Sequence, residues 1–306
     1  MKPKLIVVAG PTAVGKTQYA INLAKKVDGE IISLDSVQVY KYLNIGSAKP
    51  SKEEMQGIRH YMIDEVEPNI NLNVKEFKDM ANKYIDYIYK KGKQVILVGG
   101  TGFYIRAVLY DTDFLEEDEE KSIQIREELY DTLDKKGIEY LYDILKKVDK
   151  VSADVIPIEN KKRVIRAIEF FKLHGFPISK HNLEEKEKES KYYFDFYVLN
   201  MERAKLYDRI NKRVDNMISN GLLKEVKMLI DMGLDKNLNS MKSIGYRELY
   251  DFCEKRDLIE NIGSLSESDK IELDDIVDRI KQHSRNYAKR QITWFKSQEN
   301  IKWINI

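Results

Sequence analysis

One cysteine, Cys253, stands among 306 residues, so no intrachain disulfide is possible, and burial as a small hydrophobe is its expected role. The four histidines, His60, His174, His181 and His283, are scattered without zinc-ligand spacing. Net charge is nearly absent too. The 52 Lys+Arg against 51 Asp+Glu leave +1, which excludes a uniformly basic nucleic-acid coat but not a local basic groove. No apolar run approaches the roughly 20 residues of a membrane span. The sequence enters a strand pattern at Lys4–Ala9 at once, without a secretory h-region or cleavage site, and a secretory leader is not expected. A cytoplasmic protein without a membrane partner is expected. There is no internal repeat and no extended low-complexity tract. What remains is 42% hydrophobic, enough for a core, in a length that fits about two domains of roughly 150 residues.

Strand and helix signals alternate over the first hundred residues. An apolar run at 5–9 ends in glycine, as a buried parallel strand does. A helix pattern at 17–27 follows, then a strand at 30–34, a long helix at 74–91 and a strand at 95–98. This order predicts an α/β fold: a parallel-sheet core with helices on both faces. Seven acids and no base lie at 111–120, a solvated linker or helix start. Only helical patterns follow, to about Leu173, and the Lys/Glu run at 184–191 reads as another solvated stretch. An alternating, apolar segment at 193–199 looks like a strand returning to the sheet. We therefore expect a core of residues 1–114 and 191–306 interrupted by an all-helical insertion at 115–190. Everything after the returning strand reads as helix, at 202–219, 222–232 and 274–297.

The strongest local signal is Gly10-Pro11-Thr12-Ala13-Val14-Gly15-Lys16-Thr17, a G-x-x-x-x-G-K-[ST] loop between a predicted strand and a predicted helix. Its glycines let backbone N–H groups turn inward as an anion nest, and the helix N-terminus adds positive potential. Lys16 offers a point charge to phosphate oxygens, and the Thr17 hydroxyl can ligate Mg2+. A nucleotide hydrolase usually adds an apolar strand ending in a metal-holding Asp. Here the candidate strand ends in Gly99-Gly100-Thr101-Gly102, which is either a further source of N–H donors and a hydroxyl or a tight turn. The acid at a strand end is Asp35, in Asp35-Ser36-Val37-Gln38, beside the crevice where parallel sheets bind ligands. It reads as a general base or metal ligand, or as a helix N-cap.

Basic residues gather in three places. These are Lys161, Lys162, Arg163 and Arg166; Arg209 with Arg213; and the final 281–306 stretch, with six bases, Arg285 and Lys289 among them, against one acid. Each is a solvated helix face or a phosphate-backbone footprint. On the last helix pattern Tyr287, Gln291 and Trp294 share the other side.

Taken together, GPTAVGKT (10–17), DSVQVY (35–40), IGSAKP (45–50), VGGTGFY (98–104), KRVIRAIE (162–169), RINKRVDNMISNGLLKEV (209–226), SIGYREL (243–249) and RNYAKRQITWF (285–295) resemble the bacterial tRNA dimethylallyltransferases, in the family's order and over nearly the whole chain. The resemblance implies transfer of a dimethylallyl group from dimethylallyl diphosphate to N6 of the adenosine just 3′ of a tRNA anticodon, with Mg2+ as cofactor. The nucleotide-like loop would then hold the prenyl donor's diphosphate, in keeping with the missing hydrolase acid. The resemblance casts Asp35 as acceptor of the N6 proton and Thr17 as metal ligand. Lys16, the 12–17 backbone and Arg213 would hold the diphosphate, with Thr101 near the reacting groups. Asp35, Ser36, Val37 and Gln38 would contact the extruded adenine. Arg126, Lys161, Lys162, Arg163 and Arg166 of the insertion, with Arg285 and Lys289 of the last helix, would grip the anticodon stem-loop. The family often has Arg at Val37, which leaves this residue a backbone or shape role. A monomer is expected. Two rival readings are a P-loop kinase with Asp35 as base, and a nucleotide-gated RNA-binding protein without chemistry.

Overall fold

A computed structural model describes residues 2–115, 118–256 and 265–306. Glu116 and Glu117 of the acidic run lie outside these. The chain divides into two compact units, Met1–Asp111 with Ser190–Ile306, and Thr112–Glu189.

In the first unit the order is β1 (Lys4–Ala9), α1 (Lys16–Val27), β2 (Gly29–Ser33), β3 (His60–Tyr61), α2 (Val74–Lys90), β4 (Gln94–Gly99) and α3 (Gly102–Leu109). The second unit follows with α4 (Glu119–Val148), α5 (Lys150–Val155), α6 (Lys161–His174) and α7 (Ile178–Glu187). The chain then returns to the first unit as β5 (Tyr193–Asn200), α8 (Arg203–Ser219), α9 (Leu222–Asp231), α10 (Tyr246–Glu254), α11 (Glu267–Lys296) and β6 (Ile301–Asn305).

The six strands form one parallel sheet in the order β3-β2-β4-β1-β5-β6. Successive side chains of a strand face opposite ways, and in β1 both ways lead into core. Leu5, Val7 and Ala9 join one apolar cluster with Phe77, Ala81, Ile85 and Ile88 of α2, while Ile6 and Val8 join the other with Ala20, Ile21 and Ala24 of α1. Burial on both faces explains why β1 reads as a continuous apolar run. Asn73 opens α2 with a capping box: its side chain accepts from the Glu76 N–H, and Glu76 accepts from the Asn73 N–H. Cys253 is fully buried, and burial pushes its thiol up to about 12. Among the described residues no helix is long and apolar enough to cross a membrane.

Two expectations are corrected. The chain after β5 is not all helix: residues 301–305 pair in parallel with β5 as the sheet's last strand. The 184–191 run is not wholly solvated, because Glu185 on α7 is buried, accepts from the Asp113 N–H at 2.9 Å and pairs with Lys188 at 2.5 Å. In the second unit Ile125, Leu129, Leu141, Leu145, Val164 and Ile168 form the core. Gly137 interrupts α4 with φ 80°, ψ 172°, a conformation open to glycine and outside the helical region.

Candidate active site

The C-terminal ends of β1, β2 and β4 converge on a cavity of about 280 Å3, where open parallel sheets bind ligands. The loop after β1 forms its floor. Gly15 sits at φ 102°, a left-handed N-cap that hands the chain into α1 with Lys16 as its first helical residue. Val14, fully buried, anchors the loop to the core. Thr12, Ala13, Gly15, Lys16 and Thr17 all line the cavity. The Lys16 ammonium donates to the carbonyls of Gly10 and Pro11 at 3.0 and 2.9 Å. Burial lowers its pKa to about 8, helped by the neighbouring Arg213 charge and opposed by Asp35.

Asp35 follows β2 and lines the same cavity. Its Oδ1 accepts from the N–H groups of Val37 and Gln38 at 2.9 and 3.3 Å, a side-chain turn that fixes the carboxylate. The helix N-cap reading of Asp35 is corrected: its carboxylate caps a turn at 36–39, and no helix follows it there. Gln38 is tied on three sides: its Nε2 donates to Ser47 and Ala48 carbonyls at 3.3 and 3.2 Å, and its Oε1 accepts from Ser33 Oγ at 3.0 Å. From α8, Arg209 and Arg213 reach the cavity one turn apart, and burial lowers the Arg213 pKa against the pull of Asp35.

Residues not expected at the site come from α11. Tyr287 and Gln291 complete the cavity wall. Gln291 Oε1 accepts the Thr12 N–H at 2.9 Å, and its Nε2 donates to the Gly100 carbonyl at 2.9 Å. The expectation that the whole 12–17 backbone faces a ligand is corrected accordingly, since the Thr12 N–H is committed to Gln291. The glycines of 99–102 serve close approach. A Cβ on Gly100 would lie 2.3 Å from Gln291 Nε2, and one on Gly102 would lie 2.2 Å from the Trp294 ring. Thr101 Oγ1 lies 3.1 Å from the Tyr287 hydroxyl, and Ser36, Val37 and Thr101 themselves do not line the cavity. The signal for these α11 residues was the 287/291/294 stripe, in which aromatic and amide side chains alternate on one helix face.

The basic candidates divide. Arg126 donates to the buried Glu169 at 2.6 Å and Arg166 pairs with it at 3.4 Å, while Lys161, Lys162 and Arg163 are exposed in the first turn of α6. In the last stretch Arg285 donates to Asn211 at 2.6 Å, Lys281 pairs with Asp215 at 2.7 Å and Lys302 pairs with Asp195 at 2.7 Å. These three are engaged within the first unit, whereas Lys289 is exposed.

A parallel α/β sheet whose phosphate loop faces a fixed carboxylate and two arginines defines a P-loop enzyme that handles a phosphorylated substrate. A family model described as IPP transferase matches residues 38–298, and the chain belongs to that family. A tRNA dimethylallyltransferase of Lachnoclostridium phytofermentans is 48% identical over 305 residues, covering 100% of this chain and 92% of the relative. The crystal structure of the full-length tRNA isopentenylpyrophosphate transferase from Bacillus halodurans aligns with a TM-score of 0.68 and 38% identity, over 100% of this chain and 90% of that one. A eukaryotic dimethylallyltransferase, solved in snapshots of its action on tRNA, aligns with a TM-score of 0.76 and 26% identity, over 99% and 74% of the two chains.

Proposed function

We propose that this chain is a tRNA dimethylallyltransferase, moving the dimethylallyl group from its diphosphate to N6 of the adenosine 3′-adjacent to the anticodon. The observation that carries this reading is that Asp35, Lys16 and Arg213 line one cavity, a proton acceptor beside an anion cradle. The exocyclic amine attacks the allylic carbon, the N–C bond forms as the carbon–oxygen bond breaks, and Asp35 takes the N6 proton. Negative charge grows on the leaving diphosphate, so Lys16, Arg213 and the N–H groups of Ala13, Gly15, Lys16 and Thr17 stabilise the transition state more than the ground state. The base must leave its stack to enter the cavity. With Gln38 Nε2 spent on two carbonyls and one lone pair of Oε1 taken by the Ser33 hydroxyl, the second lone pair of Oε1 is what reads a base edge, as an acceptor.

Mg2+ fits these residues as a shared ligand. Among the described residues no three His, Cys, Asp or Glu cluster to hold a metal, but Thr17 lines the cavity where diphosphate oxygens would sit, and its hydroxyl is the ligand it would offer. Mg2+ commonly keeps waters and takes few protein ligands beside substrate phosphates. Bound there, it would neutralise charge on the diphosphate. For tRNA contact, Lys161, Lys162 and Arg163 stand at the positive end of a helix, where the macrodipole disfavours cations. An anionic partner relieves that cost. We place the protein in the cytoplasm, where its RNA substrate is.

The test is incubation with Mg2+, labelled dimethylallyl diphosphate and an anticodon stem-loop, followed by nucleoside analysis. Labelled N6-(dimethylallyl)adenosine is the expected product. ADP formed from ATP, with no prenylated nucleoside, would establish the kinase instead.

A further inference from the structure

Glu225, Tyr246 and Gly46 come from three of the motifs that carry the family resemblance, and none of them lines the cavity. They meet at one buried node. Glu225, on α9, is 7% exposed, yet its carboxylate accepts five hydrogen bonds. Oε2 takes the N–H groups of Asn44 and Ile45 at 2.9 and 2.8 Å. Oε1 takes those of Ile45 and Gly46 at 3.0 Å each, and the Tyr246 hydroxyl at 2.6 Å. The loop passes close to the Tyr246 ring: a Cβ on Gly46 would fall 2.5 Å from it.

The carbonyls of the next two residues hold side chains of the site. The Ser47 carbonyl accepts from both Arg213 Nη2, at 3.4 Å, and Gln38 Nε2, and the Ala48 carbonyl takes the second Gln38 bond. Ala48, a cavity-lining residue, is held at φ 46°, a left-handed conformation that a non-glycine residue keeps only when its surroundings enforce it. Three consecutive N–H groups gripped by a carboxylate supply that enforcement.

We propose that Glu225 is a positioning residue for the reaction: through the 44–48 backbone it sets Arg213, on the phosphate side of the cavity, and Gln38, on the base side, in register with each other. The proposal rests on the reading of this cavity as the prenyl-transfer centre. Glu225→Gln keeps the volume but replaces one acceptor oxygen with a donor, so it cannot satisfy the three N–H groups and the phenol together.

The experiment compares wild type, Glu225→Gln and Tyr246→Phe as full chains. It measures hydrogen exchange, affinity for inorganic diphosphate with Mg2+, and dimethylallyl transfer at saturating substrates. In Glu225→Gln the amides of 44–46 should lose protection while those of β1 and β4 keep it. Diphosphate affinity should drop about tenfold and kcat about 10- to 100-fold. Tyr246→Phe, which removes one of the five bonds, should lose about threefold in each. A merely structural Glu225 would loosen the 44–46 amides or lower the melting temperature with affinity and kcat unchanged, and that result overturns the proposal. If Glu225→Gln does not fold, Tyr246→Phe decides, and wild-type affinity and kcat in that variant overturn it. If wild-type protein binds diphosphate but transfers no prenyl group, the functional reading fails, while the exchange and affinity ratios still decide whether Glu225 sets the site.

Discussion

At Lys16 the environment disfavours charge, and the consequence has a definite sign. With its pKa at about 8 in the folded protein against 10.5 for the free group, the unfolded chain binds the extra proton between those values. The cost of burying this ammonium is therefore complete below pH 8 and fades as pH rises toward 10.5. Ligand binding runs the other way, because the anion needs the charged form. Affinity for inorganic diphosphate should weaken as pH rises through about 8, and calorimetry of wild type beside Lys16→Met should show this dependence in the wild type alone. Asp35→Asn should cost about 10²- to 10⁴-fold in single-turnover transfer while stem-loop binding by filter assay stays near wild type. Arg213→Ala should raise the donor KM more than it weakens tRNA binding. Lys16 and Asp35 were readable because each is fixed by neighbours close in sequence: a glycine-framed loop for one, a strand end for the other. Gln291 was not, since its partner Thr12 is 279 residues away and only the sheet topology brings them together.

Elements were legible in proportion to how fully they are buried. β1, β4 and α2 carry strong patterns because both sheet faces are covered and one stripe of α2 enters the core. β6 mixes Lys302 and Trp303 into a half-exposed edge, so its alternation is faint, and β3 has only two residues. The glycine cluster after β4 looked like a turn or a donor nest because sequence does not reveal that α11 packs onto it. That contact is testable. Gly102→Ala places a methyl group inside the Trp294 ring's space and should destabilise the protein by about 1–3 kcal/mol in urea unfolding. Asn73→Ala, which removes the α2 cap, should cost about 1 kcal/mol by the same measurement.

For the whole molecule, near-neutral net charge conceals an uneven distribution. RNA affinity should fall steeply with salt, and replacing Lys161, Lys162 and Arg163 with Ala should shrink the slope of log affinity against log salt by up to about 3. An unchanged slope would remove the insertion from the RNA footprint. The order of the sheet also governs how this protein comes into being. β1 is the third strand from one end in the chain's first ten residues, yet its neighbour on one side is β5, and the amide that steadies its loop belongs to the last helix. A ribosome that has already delivered β4 leaves one flank of β1 bare for some hundred codons more, so the phosphate cradle waits half-built for segments translated long after it.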